Sequence, residues 1–277
     1  MTNKVKMDTS EYISRFDSLI LNPETRKIYD GQDEFFNVGY WFSDTQNQQS
    51  ACFNLMEKLL GFIPQKQGNI LDVGCGLGAT TNYLLKYYLP NDVVGINISS
   101  QQIEKSTVNT PECKFICMDA TQMKFADESF NNIICVEAAF YFDTREKFLK
   151  EAWRVLKPGG HLILSDIIFE NIKHFGDWIV PPENIVKDKD INKYKNLYQQ
   201  AGFQPLEFVK ATDECWLRHY RYLKSYMVEE FKVGEVDEQT YKVNVDAIDG
   251  LLSSSAIDYL LVSAKKVVSN FKLEVFT

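Results

Sequence analysis

Nine residues constrain the fold of this chain more than any others: Ile70-Leu71-Asp72-Val73-Gly74-Cys75-Gly76-Leu77-Gly78. An apolar run breaks at an acid into three alternating glycines, and Ala79-Thr80-Thr81-Asn82-Tyr83-Leu84-Leu85 then opens as a helix. Glycine lets the backbone turn sharply and lets a ligand approach main-chain atoms without meeting a Cβ. The free N–H groups at the start of the following helix favour a carboxylate or phosphate. An anionic or nucleotide-like ligand is therefore expected over the loop. Gly74, Gly76 and Ala79 also satisfy the looser dinucleotide fingerprint G-x-G-x-x-G/A, so other segments must decide between ligands.

Those segments repeat one rhythm. Helical spacing of Ala51-Cys52, Leu55-Met56 and Leu59-Leu60 predicts a helix from Thr45 or Asn47, ended by Gly61 and Pro64, that feeds the first strand. Short apolar runs predict further strands over 92–97, 114–119, 132–136 and 161–168. Between them, Ser99 or Ser100 caps one helix and Asp143 or Thr144 another, and Lys157-Pro158-Gly159-Gly160 reads as a turn. Alternating strands and helices imply a Rossmann-like, doubly wound α/β sheet, whose ligands lie beyond the carboxyl ends of its strands. After an irregular connection over 169–190 come a helix around 192–201, a strand over 203–209, a helical insertion over 211–256 and a last strand over 259–266.

Bulk properties exclude several partners. At 277 residues the chain can bury a full core as one large α/β domain with embellishments. A net charge of -8 without a basic stripe argues against nucleic acid. No apolar run approaches the roughly 20 residues of a membrane span, and Met1 to Lys6 lack the apolar stretch of a secretory signal, so a cytoplasmic protein is expected. The six cysteines form no C-x-x-C pair. Cys113 and Cys117 have no second pair or nearby histidine to complete a tetrahedral set, so no metal centre is expected.

With these segments in order, the chain resembles the class I S-adenosylmethionine-dependent methyltransferases, in particular small-molecule enzymes of natural-product pathways; the likeness is strong over roughly residues 35 to 170 and looser elsewhere. The resemblance implies seven strands, the last antiparallel, with 203–209 and 259–267 as the closing hairpin and 211–256 as a helical lid over the acceptor pocket. It divides the chain into an N-terminal arm or cap (1–45), a cofactor-binding core (46–210 and 257–277) and that lid. S-adenosylmethionine is the implied cofactor. Asp72, Gly74, Gly76 and Gly78 would wrap its methionine part. Asn97, with Ile98, stands where the family usually has an acid on the ribose hydroxyls. Asp119, next to Ala120, would meet the adenine amino group, with Gln122 or Met123 beside the ring. A nicotinamide enzyme also normally needs an acid at the position of Asn97, which weakens the dinucleotide reading.

The expected reaction is methylation of a small, largely apolar or aromatic acceptor, most directly on a hydroxyl oxygen. N- or C-methylation is the alternative within enzymes, and a donor-binding protein without turnover the alternative outside them. A hydroxyl acceptor must lose a proton. Related enzymes often carry a histidine after strand four; Tyr141 stands there and, with an ordinary pKa near ~10, is expected to orient or pack the acceptor. Asp166, at the end of strand five, is the candidate base or orienting group, perhaps with His219 from the lid; Asp166 could equally cap the next segment and His219 could pack. Glu137, beyond strand four, could hold the donor, hold the acceptor or act as a cap. Tyr40 and Trp41, or Tyr29, could face the sulfonium by cation–π attraction, or the arm could merely pack on the sheet. Oligomeric state is not legible.

Overall fold

The computed structural model describes residues 9–23, 35–170, 182–186, 190–254 and 257–267. Seven strands among them form one sheet: β1 (Ile70–Val73), β2 (Val93–Asn97), β3 (Lys114–Cys117), β4 (Phe130–Val136), β5 (Leu156–Phe169), β6 (Phe203–Lys210) and β7 (Ile257–Lys266). Their order is β3-β2-β1-β4-β5-β7-β6, with the first five parallel and β7 antiparallel to both its neighbours. The expected closing hairpin is thus present. The chain winds from β1 toward β3 and then restarts at β4 on the other side of β1. Ligands bind in the crevice that such a reversal opens beyond the strand ends.

The helices are α1 (Thr9–Ile20), α2 (Gln48–Leu60), α3 (Ala79–Leu84), α4 (Ser100–Asn109), α5 (Arg145–Val155), α6 (Ile191–Gln200), α7 (Arg218–Lys232) and α8 (Glu238–Ser253). Side-chain caps set several starts, as Asn47, Ser99 and Thr144 accept from the backbone N–H three residues on. Period-two alternation sends strand side chains to two cores. Ile70, Ile134 and Ile163 pack with Leu55 and Leu59 of α2, whereas Leu71, Ile133 and Leu164 pack with Phe148 and Leu149 of α5 and Tyr194 of α6. Among the described residues no helix is long and apolar enough to cross a membrane.

Two elements differ from expectation. The turn at Lys157 to Gly160 lies inside β5: Leu156 already pairs with Phe130, and the register slips before His161 pairs with Asn132. Strand pairing therefore begins before the turn, and Gly159, at φ +84, absorbs the extra residues. The second difference is α1, which falls in a stretch expected to be a polar, aromatic arm. Its inward stripe is Ile13 and Phe16, both half-buried, with Asp17 as well covered as Ile20 at 3% exposure.

Candidate active site

The glycine loop leaves β1 at the point of reversal. Asp72 is buried, and its Oδ2 accepts from Thr80 Oγ1 at 2.5 Å and Thr81 Oγ1 at 2.7 Å, the opening residues of α3. Its Oδ1 is buried with no hydrogen-bond partner among the described residues. Burial pushes the carboxyl up to about 6, against the two threonine bonds that lower it. Gly74 and Gly76 have φ +76 and +53. A Cβ on Gly74 would lie 2.5 Å from that of Ala138, whereas one on Gly76 would project into open space. Gly78 is the left-handed N-cap of α3.

At the end of β2, Asn97 accepts from the Ser99 backbone N–H at 2.9 Å and donates Nδ2 to Gln102 Oε1 at 3.0 Å; Ile98 beside it is exposed. After β3, Asp119 Oδ1 accepts from the Thr121 N–H at 2.7 Å and hydroxyl at 2.8 Å, which fixes the carboxylate's direction, and Ala120 is buried. The strand order brings these three strand ends side by side.

Glu137 follows β4, next to β1. It has φ +50, a left-handed conformation costly for a residue with a Cβ. Its backbone N–H reaches the carbonyl and hydroxyl of Ser165, each at 3.1 Å. Its Oε1 accepts from the Val38 N–H at 3.0 Å and Tyr259 Oη at 2.7 Å. Part of the residue stays exposed, yet burial of the carboxyl raises it to about 7, against the Tyr259 and Val38 bonds. Strained backbone together with a carboxyl raised toward neutrality makes Glu137 a candidate for function.

Asp166 needs correction as a candidate base. It is fully buried, with Oδ2 accepting from Arg145 Nε at 2.7 Å and Tyr194 Oη at 2.7 Å, and Oδ1 from Arg145 Nη2 at 3.1 Å and the Ile167 N–H at 2.9 Å. Four donors occupy its acceptor positions, leaving none for an acceptor's proton. His219 is corrected likewise. It is 1% exposed, its Nδ1 lies 2.9 Å from Gln48 Oε1, and burial lowers its pKa to about 3, too weak a base for an alcohol.

Tyr141 packs edge-on against Phe16 of α1 at 4.9 Å and tilts on Phe140. Tyr40 has the Lys58 ammonium of α2 4.9 Å from its ring centroid. Trp41 packs on Tyr222 at 4.6 Å. Tyr29 lies outside the described residues. Sequence reasoning missed Asp17 and Tyr259. Asp17 interrupts the apolar stripe of α1 and so hides both the helix and itself; Tyr259 carries no local signal, because its partner lies 122 positions away.

The residues fit the implied cofactor on two counts: the unpartnered buried oxygen of Asp72 suits an ammonium group, and Gly76 leaves room where a side chain would intrude. Known proteins point the same way. A family described as a methyltransferase domain matches residues 71–164. The chain is 28% identical over 261 residues to erythromycin 3''-O-methyltransferase of Saccharopolyspora erythraea, covering 84% of this chain and 83% of that one. It is 23% identical to 27-O-demethylrifamycin SV methyltransferase of Amycolatopsis mediterranei, over 88% and 98%. In fold it matches the cyclopropane synthase MmaA2 from Mycobacterium tuberculosis with a TM-score of 0.73 at 17% identity, over 92% and 98% of the two chains. These findings support a class I S-adenosylmethionine-dependent methyltransferase, with S-adenosylmethionine as its cofactor.

Proposed function

We propose that the protein methylates a hydroxyl oxygen of a small, largely apolar metabolite, a natural product or its precursor, with Glu137 as general base. The observation that carries this reading is the placement of Glu137, at φ +50 just beyond β4, with Ala138 next to it against Gly74 and its carboxyl held by Val38 and Tyr259, where burial raises it to about 7. When bound, S-adenosylmethionine supplies a methyl group on a positively charged sulfur. As the acceptor oxygen takes the methyl group, Glu137 takes the hydroxyl proton. Tyr259 and the Val38 N–H hold Oε1, so the second carboxylate oxygen, Oε2, is the one aimed at the acceptor. Asp72 holds the donor's ammonium, Asn97 and Ile98 its ribose side, and Asp119 and Ala120 its adenine.

The acceptor side is formed by 211–256, which enters through Thr212–Leu217 and continues as α7 and α8. Trp216 and Tyr220 pack together there, and Arg218 Nη1 donates to the Trp41 carbonyl at 2.8 Å, tying this insertion to the arm. The names of the erythromycin and rifamycin relatives place their chemistry on oxygen. None of the six cysteines is in a disulfide, which fits a cytoplasmic protein.

The test is incubation with methyl-labelled S-adenosylmethionine and paired apolar acceptors that differ only in bearing a hydroxyl or an amine, read by mass spectrometry. Label on the hydroxyl members supports the reading. Label confined to the amines, or to carbon, would replace it.

A further inference from the structure

Position 97 is an amide where ribose recognition gains most from an acid, yet a carboxylate reaches the same neighbourhood from another part of the chain. Asp17 of α1 is 3% exposed. Its Oδ1 accepts from Gln102 Nε2 at 2.7 Å, and its Oδ2 from Ser99 Oγ at 2.8 Å and Gln101 Nε2 at 3.3 Å. All three donors are neutral, so the carboxylate is buried with its charge uncompensated by them, an arrangement that costs stability. Gln102 links this acid to Asn97: the amide whose Nε2 holds Asp17 uses its Oε1 to accept from Asn97 Nδ2 at 3.0 Å. Oδ1 of Asp17 carries a single one of these bonds and retains capacity for another donor. The residue before it, Phe16, packs on Tyr141. α1 therefore touches the loop after β2 and the turn after β4, on either side of the glycine loop.

We propose that Asp17 is a cofactor-positioning residue that supplies, from α1, the negative charge Asn97 lacks at the ribose end of the site. The inference rests on S-adenosylmethionine occupying this crevice with its ribose toward Asn97. A carboxylate one amide away polarises the Gln102–Asn97 pair and strengthens the acceptor that Asn97 offers the diol, since hydrogen bonds in a chain polarise one another. It also makes α1 part of the cofactor site rather than a peripheral arm.

The test is calorimetric titration of the full chain with S-adenosylhomocysteine and its 2′-deoxy counterpart. Asp17→Asn, nearly isosteric, is expected to weaken S-adenosylhomocysteine about tenfold and to shrink the wild-type preference over the 2′-deoxy ligand. Asn97→Asp in the Asp17→Asn background is expected to restore affinity, which a merely structural tie would not do. Asn97→Asp alone, which does not depend on how Asp17→Asn folds, is expected to weaken binding, because it sets two carboxylates close together. Unchanged affinity in Asp17→Asn, no rescue in the double variant, or tighter binding by Asn97→Asp alone would overturn the proposal. Failure of the wild type to bind S-adenosylhomocysteine would instead overturn the cofactor placement beneath it.

Discussion

Two acids at neighbouring strand ends, Asp72 buried and Glu137 part-exposed, carry different proposed roles because their surroundings differ. Asp72 meets two threonine hydroxyls and keeps one oxygen without a partner among the described residues; Glu137 meets a phenol and a backbone N–H. The proposed hold of Asp72 on the donor's ammonium requires its ionised form, so affinity for S-adenosylhomocysteine is expected to fall as pH drops through about 6, and Asp72→Asn to lose that dependence; titration at several pH values checks both. Glu137 has a linkage consequence. Its folded pKa, about 7, lies above the ordinary 4.5, so between those values the folded state holds the proton more tightly and stability falls as pH rises. Glu137→Gln is therefore expected to be more thermostable than wild type at pH 8 and little different at pH 4, as melting curves at the two pH values would read. The loop glycines and Asp72 were legible because they sit within nine consecutive residues. Glu137 was legible as a position but not as the base proposed here, because Val38 and Tyr259, 99 and 122 residues away, create its environment.

At the scale of elements, Asp166 joins α5, α6 and β5. Arg145 reaches it from the first turn of α5, donates to the Ile167 carbonyl at 2.8 Å and also bonds the Asn184 carbonyl, while Tyr194 of α6 donates to the carboxylate and accepts from the Tyr198 hydroxyl at 2.7 Å. Removing one member of a buried ion pair strands the other charge, typically at about 3–5 kcal/mol. Asp166→Ala is thus expected to lower unfolding stability by that order in denaturant titrations, while the folded fraction retains donor affinity. An acid at the end of a strand looks the same in sequence whether it faces a ligand or a helix. The partners that decide it here stand 21 and 28 residues away. The strands themselves were legible from short apolar runs. α1 was not, because its stripe of Ile13, Phe16, Asp17 and Ile20 includes an acid that breaks the apolar pattern.

Across the whole molecule, the arm, α2 and the 211–256 insertion meet through one amide. Gln48 Nε2 donates to the Asn37 carbonyl at 2.7 Å, and its Oε1 faces His219 Nδ1. The Trp41 N–H adds a 2.8 Å bond to the Glu214 carbonyl. His219 thereby links the insertion to the core, and at about 3 its pKa lies far below neutrality. His219→Gln is expected to leave any pH dependence of turnover near neutrality unchanged, which separates it from Glu137. The family assignment sets aside the nicotinamide reading that the glycine fingerprint left open, and it rests on the segment where strand, loop and helix follow one another without a long insertion. The most direct measurement is the pH–rate profile of methyl transfer to a hydroxyl acceptor at saturating donor, for wild type and Glu137→Gln. The account predicts a wild-type rate that rises to a plateau with a midpoint near 7, and a variant slowed about 100-fold or more without that rise. Superimposable profiles for the two proteins would contradict it.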